Sequence, residues 1–247
     1  MADWIPAKVI TNRHWNHDLF SLVLEANIEP FKAGQFTKLG LEIDGKMIQR
    51  AYSFVNPPSS NQIEIYATRV ADGLLSPRLH ALEAGDEVFI SARANGYFTL
   101  NEIPDSDHLW LLATGTAIGP YLSILREPTV WKRFRKVILS HAVRFSADLS
   151  YQAEINQLKE RYPDQLIVQP FVSREPAPPA LPGRIPQAIA DGMLERHVGL
   201  TLDPEHSQLM LCGNPEMVKD TRAALEARGF RKNLRRQPGH ITMEHYW

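Results

Sequence analysis

A single cysteine, Cys212, stands among 247 residues. One thiol excludes an internal disulfide, and an iron–sulfur cluster held within the chain would normally need about four such ligands. If electrons pass through this chain, another group carries them. Net charge is also nearly absent, at -1, so no global field draws the chain to nucleic acid or to an anionic membrane. Nowhere do about 18 apolar residues stand together, and "MADWIPAKVI" lacks a basic region ahead of a long apolar run. A cytoplasmic location is therefore expected. The nine histidines are scattered without HExxH or comparable spacing, so no metal site is expected.

What is present is an ordinary globular balance, 44% hydrophobic beside 22% charged, in a chain long enough for two modest domains. The two halves have different periods. From Lys8 to about Leu100 the runs are short and alternating: "FSLVLEA", "GQFTKLGLEI", "RAYSFV", "QIEIYATRV", "DEVFISA" and "GYFTL". Broken by turn signals such as Asp44-Gly45 and Gly85-Asp86, they predict about six antiparallel strands in a barrel or sandwich, with a tight hairpin at Asp44-Gly45. One helical interruption is expected in "LSPRLHALEAG", capped by Ser76 with Pro77 in its first turn.

After Pro104, "HLWLLAT", "KVILSHAV", "QLIVQPFV" and "SQLMLC" are compact apolar runs. They predict buried parallel strands alternating with helices near 119–126, 149–161, 185–196 and 215–228. That alternation implies a doubly wound sheet, which binds ligands at the carboxyl ends of its strands. The first run leads into "ATGTAIGP", where Gly115 and Gly119 bracket a turn suited to a pyrophosphate, with Thr116 offering a hydroxyl. The turn is not a GxGxxG fingerprint, and tight packing alone would account for such glycines. The second run ends at Val143-Arg144, the third at Ser173-Arg174, and Arg184 follows "EPAPPALPG". Guanidinium forks here suit the additional phosphate of NADP better than the ribose of NAD, although each arginine alone could be a solvated surface charge. The fourth run ends "LCGNPEMVKD", putting Cys212 beside the cleft, where a small buried hydrophobe is the simpler reading.

In the first half, "RAYS" places Arg50, Tyr52 and Ser53 where a barrel strand could be apolar. They can neutralise a pyrophosphate, cover a flat heterocycle and bond a ring nitrogen, and "GLLS", Gly73 through Ser76, supplies a helix amino end for the same anion.

In order, "RAYS", "GLLS", "GTAIGP", "CGNPEMV" and the closing "EHYW" resemble the ferredoxin/flavodoxin–NADP reductase family, most closely its enterobacterial type, over nearly the whole chain. The resemblance implies an antiparallel Greek-key β-barrel over residues 1–101 binding FAD tightly but non-covalently. A doubly wound parallel-sheet domain binding NADP would follow over 102–247, its aromatic tail returning to the flavin. By matching position, Arg50, Ala51, Tyr52, Ser53, Tyr66, Ala67, Thr68, Leu74, Leu75, Ser76, Thr116, Tyr246 and Trp247 would bind FAD. Thr116, Val143, Arg144, Ser173, Arg174, Arg184, Asn214, Glu216 and Asp220 would bind NADP.

The implied chemistry is hydride transfer between nicotinamide and the flavin N5, followed by two single-electron steps to a ferredoxin or flavodoxin. Ser53 and Cys212 are the candidates for aligning the rings. Glu244-His245-Tyr246 matches the acid-x-Tyr ending of plant-type members, but Trp247 is added. Which ring covers the isoalloxazine, and what Glu244 does, stay open. "RKNLRR" supplies Arg231, Lys232, Arg235 and Arg236 for transient electrostatic docking of an acidic partner on a monomer, or else forms a solvated helix end. Two rival readings are a flavin- and nucleotide-binding regulatory subunit without turnover and the reductase component of an oxygenase. The cysteine count argues against the second.

Overall fold

Alternating burial builds the first sheet. In β1 (Trp4–His14), Ala7 and Val9 are buried while Pro6 and Lys8 face solvent, the period of a half-buried strand. With β2 (Leu19–Glu25), β3 (Phe36–Ile43), β4 (Lys46–Ser53), β5 (Ile63–Thr68) and β6 (Glu87–Ser91), it forms an antiparallel sheet in the order β4-β3-β6-β1-β2-β5. The computed structural model describes residues 3–246, so Trp247 lies outside the described residues. The β3–β4 hairpin turns at Asp44-Gly45 with φ of 51° and 71°, the doubly left-handed signature of a type I′ turn. A bridge from Phe54 to Ile65 joins the two edges of the sheet, curling it into the Greek-key barrel. Leu22, Leu24, Leu39, Ile65, Val88 and Ile90 fill the interior, each contributing about 2 kcal/mol by burial.

The strand count matches the expectation, but its membership differs. β1 escapes the pattern because its register shifts between Val9 and Thr11, which breaks the alternation. "GYFTL" is not a strand: Gly96 turns the chain at φ 102°, and residues 100–102 form a 3-10 turn. The helix is only α1 (Ser76–His80), with Pro77 in its first turn as expected. Ser76 does not cap it, because its Oγ accepts from the Val70 amide at 3.0 Å.

The second sheet is parallel throughout. β7 (His108–Thr114), β8 (Lys136–Val143), β10 (Phe171–Val172), β11 (Leu181–Pro182), β12 (Ser207–Gly213) and β13 (Ile241–His245) lie in the order β11-β10-β8-β7-β12-β13. The seventh strand, β9 (Leu166–Val168), lies beside β8. Every residue of β12 is buried, as expected of a strand covered on both faces. "QLIVQPFV" splits into β9 and β10 around Pro170, which has no N–H to give the ladder. The helices are α2 (Ile118–Leu125), α3 (Pro128–Arg133), α4 (Gln152–Arg161), α5 (Ile185–Ala190), α6 (Met193–Val198) and α7 (Pro215–Glu226). The expected helix over 185–196 is broken in two at Gly192, whose φ is 70°.

Residues up to Thr99 with Gly119–Glu127 form one compact unit, and Leu100–Ile118 with the residues from Pro128 onward form the other. In the first, the Ser123 hydroxyl of α2 donates to the Asn56 carbonyl at 2.7 Å. In the second, β13 holds the chain end. Ile241 to His245 pair in parallel with Leu209 to Gly213, and the Tyr246 amide donates to the Gly213 carbonyl at 3.1 Å. Backbone pairing thus tethers the chain as far as Tyr246. "RKNLRR" is not a helix end either: α7 stops at Glu226, and the basic residues lie on a turn closed by Leu234 and Gln237. Among the described residues no helix is long and apolar enough to cross a membrane.

Candidate functional site

In the second unit, three adjacent parallel strands end level with one another: Val172 of β10 lies opposite Val143 of β8 and Pro182 of β11. Within two residues of each end stands an exposed arginine, Arg144, Arg174 or Arg184. Among the described residues none of these three is in an ion pair, whereas Arg69, Arg93, Arg126, Arg133 and Arg228 all hold carboxylates. The Arg174 amide donates to the Arg144 carbonyl at 3.0 Å, tying two of the loops together. Ser173 spends its hydroxyl on the Val143 carbonyl at 3.2 Å, and Val143 itself is buried.

The chain runs from β7 out through β8 to β11 and returns to β12 on the opposite side of β7. The crevice outside the ends of β7 and β12 is therefore the topological switch point, where such sheets take their ligands. On the β7 side Gly115 adopts φ 55° and opens a 3-10 turn over Gly115–Ala117, within which Thr116 is buried. The turn is pinned from below: His141 Nε2 lies 2.9 Å from the Gly115 carbonyl. Only a protonated Nε2 can donate there. Burial holds the His141 ring down to about 4, so it is neutral at ordinary pH. On the β12 side Gly213 has φ 129°, and a Cβ there would fall 2.1 Å from Thr114 Oγ1. Only glycine allows this approach. The Thr114 hydroxyl accepts from the Asn214 amide at 2.8 Å. Asn214 Oδ1 in turn caps α7, accepting from the amides of Glu216 and Met217 at 2.9 and 3.2 Å. Its oxygen is thus committed to the helix, while Glu216 and Asp220 are exposed along α7.

Cys212 lies in β12 between Ala113 of β7 and Glu244 of β13. It is fully buried, and burial first, then the Glu244 carboxylate, push its thiol well above the usual range, against the pull of a Tyr246 hydrogen bond. A thiol so held is neutral, a small polarizable surface rather than a nucleophile. Burial likewise raises the Glu244 carboxyl to about 7.

In the first unit the candidates gather at the seam of the barrel. Beyond the Phe54–Ile65 bridge, the outer edges of β4 and β5 pair with no further strand among the described residues. Ser53, Tyr66 and Ala67 near that seam are buried, while Arg50, Ala51 and Thr68 are exposed. Arg50 Nη1 donates to the Gln49 carbonyl at 2.7 Å. Tyr52 is half-buried, its phenol pushed up to about 12 by burial against the pull of Arg50. In the turn before α1, Leu75 enters the core and Leu74 is 56% exposed, as is Val70 at 57%. A Cβ on Gly73 would come within 3.0 Å of the Val70 carbonyl, so the turn stays tight. A five-residue helix carries little dipole, so an anion here would depend on the turn amides and on side-chain cations.

The sequence reading missed His141 and Thr114, and noted Gly213 only as a glycine at a strand end in "LCGNPEMVKD". The signal for the first was a lone imidazole within the apolar run "KVILSHAV"; the meeting of Thr114 with Gly213 carries none before the strand order is known.

Two family models match the chain: an oxidoreductase FAD-binding domain over residues 6–97 and an oxidoreductase NAD-binding domain over residues 111–223. The chain is 54% identical to a flavodoxin/ferredoxin–NADP reductase of Shigella flexneri and 53% identical to that of Escherichia coli, in each case over the full length of both proteins. The chain belongs to the flavodoxin/ferredoxin–NADP reductase family. A ferredoxin NADP+ reductase of Neisseria gonorrhoeae, solved with bound FAD and NADP, superposes with a TM-score of 0.94 at 32% identity, over 99% of each chain. The family resemblance drawn from "RAYS", "GTAIGP" and "CGNPEMV" is thereby borne out, as is the order of barrel and parallel-sheet domain.

Proposed function

We propose that this chain moves electrons between NADPH and a one-electron carrier protein, ferredoxin or flavodoxin, by way of FAD. The observation that carries the NADP assignment is the row of unpaired arginines, one past the end of each of three neighbouring strands. A phosphate needs guanidinium forks not already neutralised, and a row of them would be a poor arrangement for stability alone. Arg144, Arg174 and Arg184 take the additional phosphate of NADP(H), while Val143, Ser173, Asn214, Glu216 and Asp220 line the same edge. The amides of the Gly115 turn, with Thr116, face the pyrophosphate.

FAD fits the first unit on that unit's own chemistry. The open seam between β4 and β5 offers an unpaired backbone rim, and the exposed Leu74 and Val70 offer apolar cover. Arg50 offers a cation. Arg50, Ala51, Tyr52 and Ser53 would hold it with Tyr66, Ala67, Thr68, Leu74, Leu75 and Ser76; the family resemblance also assigns Thr116, Tyr246 and Trp247 to FAD, the last outside the described residues. When bound, FAD supplies the capacity to take up two electrons together and release them singly. The protein's part is alignment: the Ser53 hydroxyl at the seam and the neutral Cys212 thiol are the aligning groups. Glu244, with a carboxyl near neutral pKa, can hold a proton on its side chain at pH 7.

The division at residues 101 and 102 into FAD and NADP domains belongs to the same reading. So does transient docking of an acidic carrier on a monomer, in the cytoplasm. Arg231, Lys232, Arg235 and Arg236 are exposed, and among the described residues none is ion-paired, as steering of such a partner requires. The test is optical. The purified protein loaded with FAD should be yellow, and under anaerobic conditions NADPH should bleach it far faster than NADH. Failure to bind FAD, or equal rates with both nucleotides, would sink the reading.

A further inference from the structure

The loops bearing Arg144 and Arg174 are joined by a second contact. Glu175 follows Arg174 directly, and its Oε1 accepts from both donors of Ser146, the amide at 2.6 Å and the hydroxyl at 2.7 Å. Among the described residues Glu175 pairs with no cation, although it is the immediate neighbour of an unpaired arginine. Those two hydrogen bonds hold its carboxyl below the usual range, so it carries full charge at neutral pH. A free carboxylate at this point would have cationic partners at hand, and each pairing would cancel charge that an incoming phosphate needs.

We propose that the Ser146–Glu175 clasp is a specificity device: it keeps the Glu175 carboxylate off Arg144 and Arg174, as the Phe145 amide engages that of Asp148 at 3.2 Å, and leaves both guanidiniums free for the 2′-phosphate of NADP(H). The proposal rests on the NADP reading above. Ser146 and Glu175 are positioning residues that act through the arginines, and the backbone bond from Arg174 to the Arg144 carbonyl gives the two loops a second staple. An ordinary surface carboxylate would act in the opposite sense. It would weaken phosphate binding by its charge alone, and Ser146 would have no part in it.

The two accounts separate in a calorimetric titration of the FAD-loaded full chain with adenosine 2′,5′-bisphosphate and with AMP. Wild type should prefer the bisphosphate. Ser146→Ala should weaken bisphosphate binding about threefold and leave AMP binding unchanged, the size expected when an exposed carboxylate swings onto neighbouring cations. Ser146→Thr, which keeps both donors, should bind as wild type does, and Ser146→Ala combined with Glu175→Gln should recover the lost affinity. Bisphosphate affinity in Ser146→Ala equal to wild type would overturn the clasp. So would equal loss of both nucleotides with a lowered melting temperature, which would mean simple loop collapse. Absence of bisphosphate preference in wild type would instead remove the NADP reading itself, and the clasp with it.

Discussion

The two ends of the parallel sheet treat charge in opposite ways. At the amino ends of the strands, charged and polar groups are consumed by the fold. Asp107 accepts from His206 at 2.9 Å just before β7 and β12, and the Lys136 ammonium at the head of β8 donates to the Asp164 carbonyl. Arg133 donates to the carbonyls of Leu100 and Ile103 and holds Asp105 at 2.7 Å. At the carboxyl ends the same residue type is left open: Arg144, Arg174 and Arg184 stand exposed without ion-pair partners among the described residues. One end spends its cations on holding the sheet, and the other leaves them unpaired, as the proposed NADP site requires. Substitutions should therefore separate stability from nucleotide binding according to the end they strike.

The largest effect is expected at the one carboxyl-end position where packing leaves no room. Gly213→Ala sets a methyl against Thr114 in a left-handed conformation, and should cost about 3 kcal/mol in denaturant unfolding while weakening nucleotide binding as well. At the amino end, Arg133→Met should cost about 2 kcal/mol from its lost hydrogen bonds. NADPH affinity should not change; a binding defect there would blur the contrast between the ends.

A comparable effect, but one with a definite sign in pH, is expected at Glu244. Its carboxyl is raised from the ordinary 4.5 to about 7 by burial. Between those values the folded state holds a proton that the unfolded state has released, so stability falls as pH rises through that window. Glu244→Gln should thus leave the melting temperature unchanged near pH 4 and raise stability by about 2 kcal/mol at pH 8. An equal gain at both values would mean that ionisation plays no part.

The carboxyl-end side of this contrast could be read in the sequence, because it lies in local pattern, whereas the amino-end pairs could not. The apolar runs "HLWLLAT" and "SQLMLC" fixed the strands, and an arginine just past each of three strand ends drew attention to that edge. Asp44-Gly45 announced its hairpin through a turn that few other pairs can make. What stayed hidden depends on chain segments meeting. β1 was masked by its register shift, and β13 is too short and mixed to stand out until β12 offers it a ladder. The misassigned Ser76 cap is of the same kind, since its hydroxyl is taken by Val70 in the preceding turn. So are Gly213 against Thr114 and Ser146 on Glu175, pairs far apart in sequence whose meaning appears only where strand ends converge.

The central claim is that the unpaired arginines at the carboxyl end select NADPH. The most direct measurement is anaerobic stopped-flow reduction of the FAD-loaded protein by NADPH and by NADH, in wild type and in Arg144→Ala combined with Arg174→Ala. Wild type should strongly favour NADPH. The double variant should lose about a hundredfold of that preference, the scale of two charge-assisted contacts, with its rate toward NADH and its melting temperature unchanged. An undiminished preference for NADPH in the double variant would contradict the account.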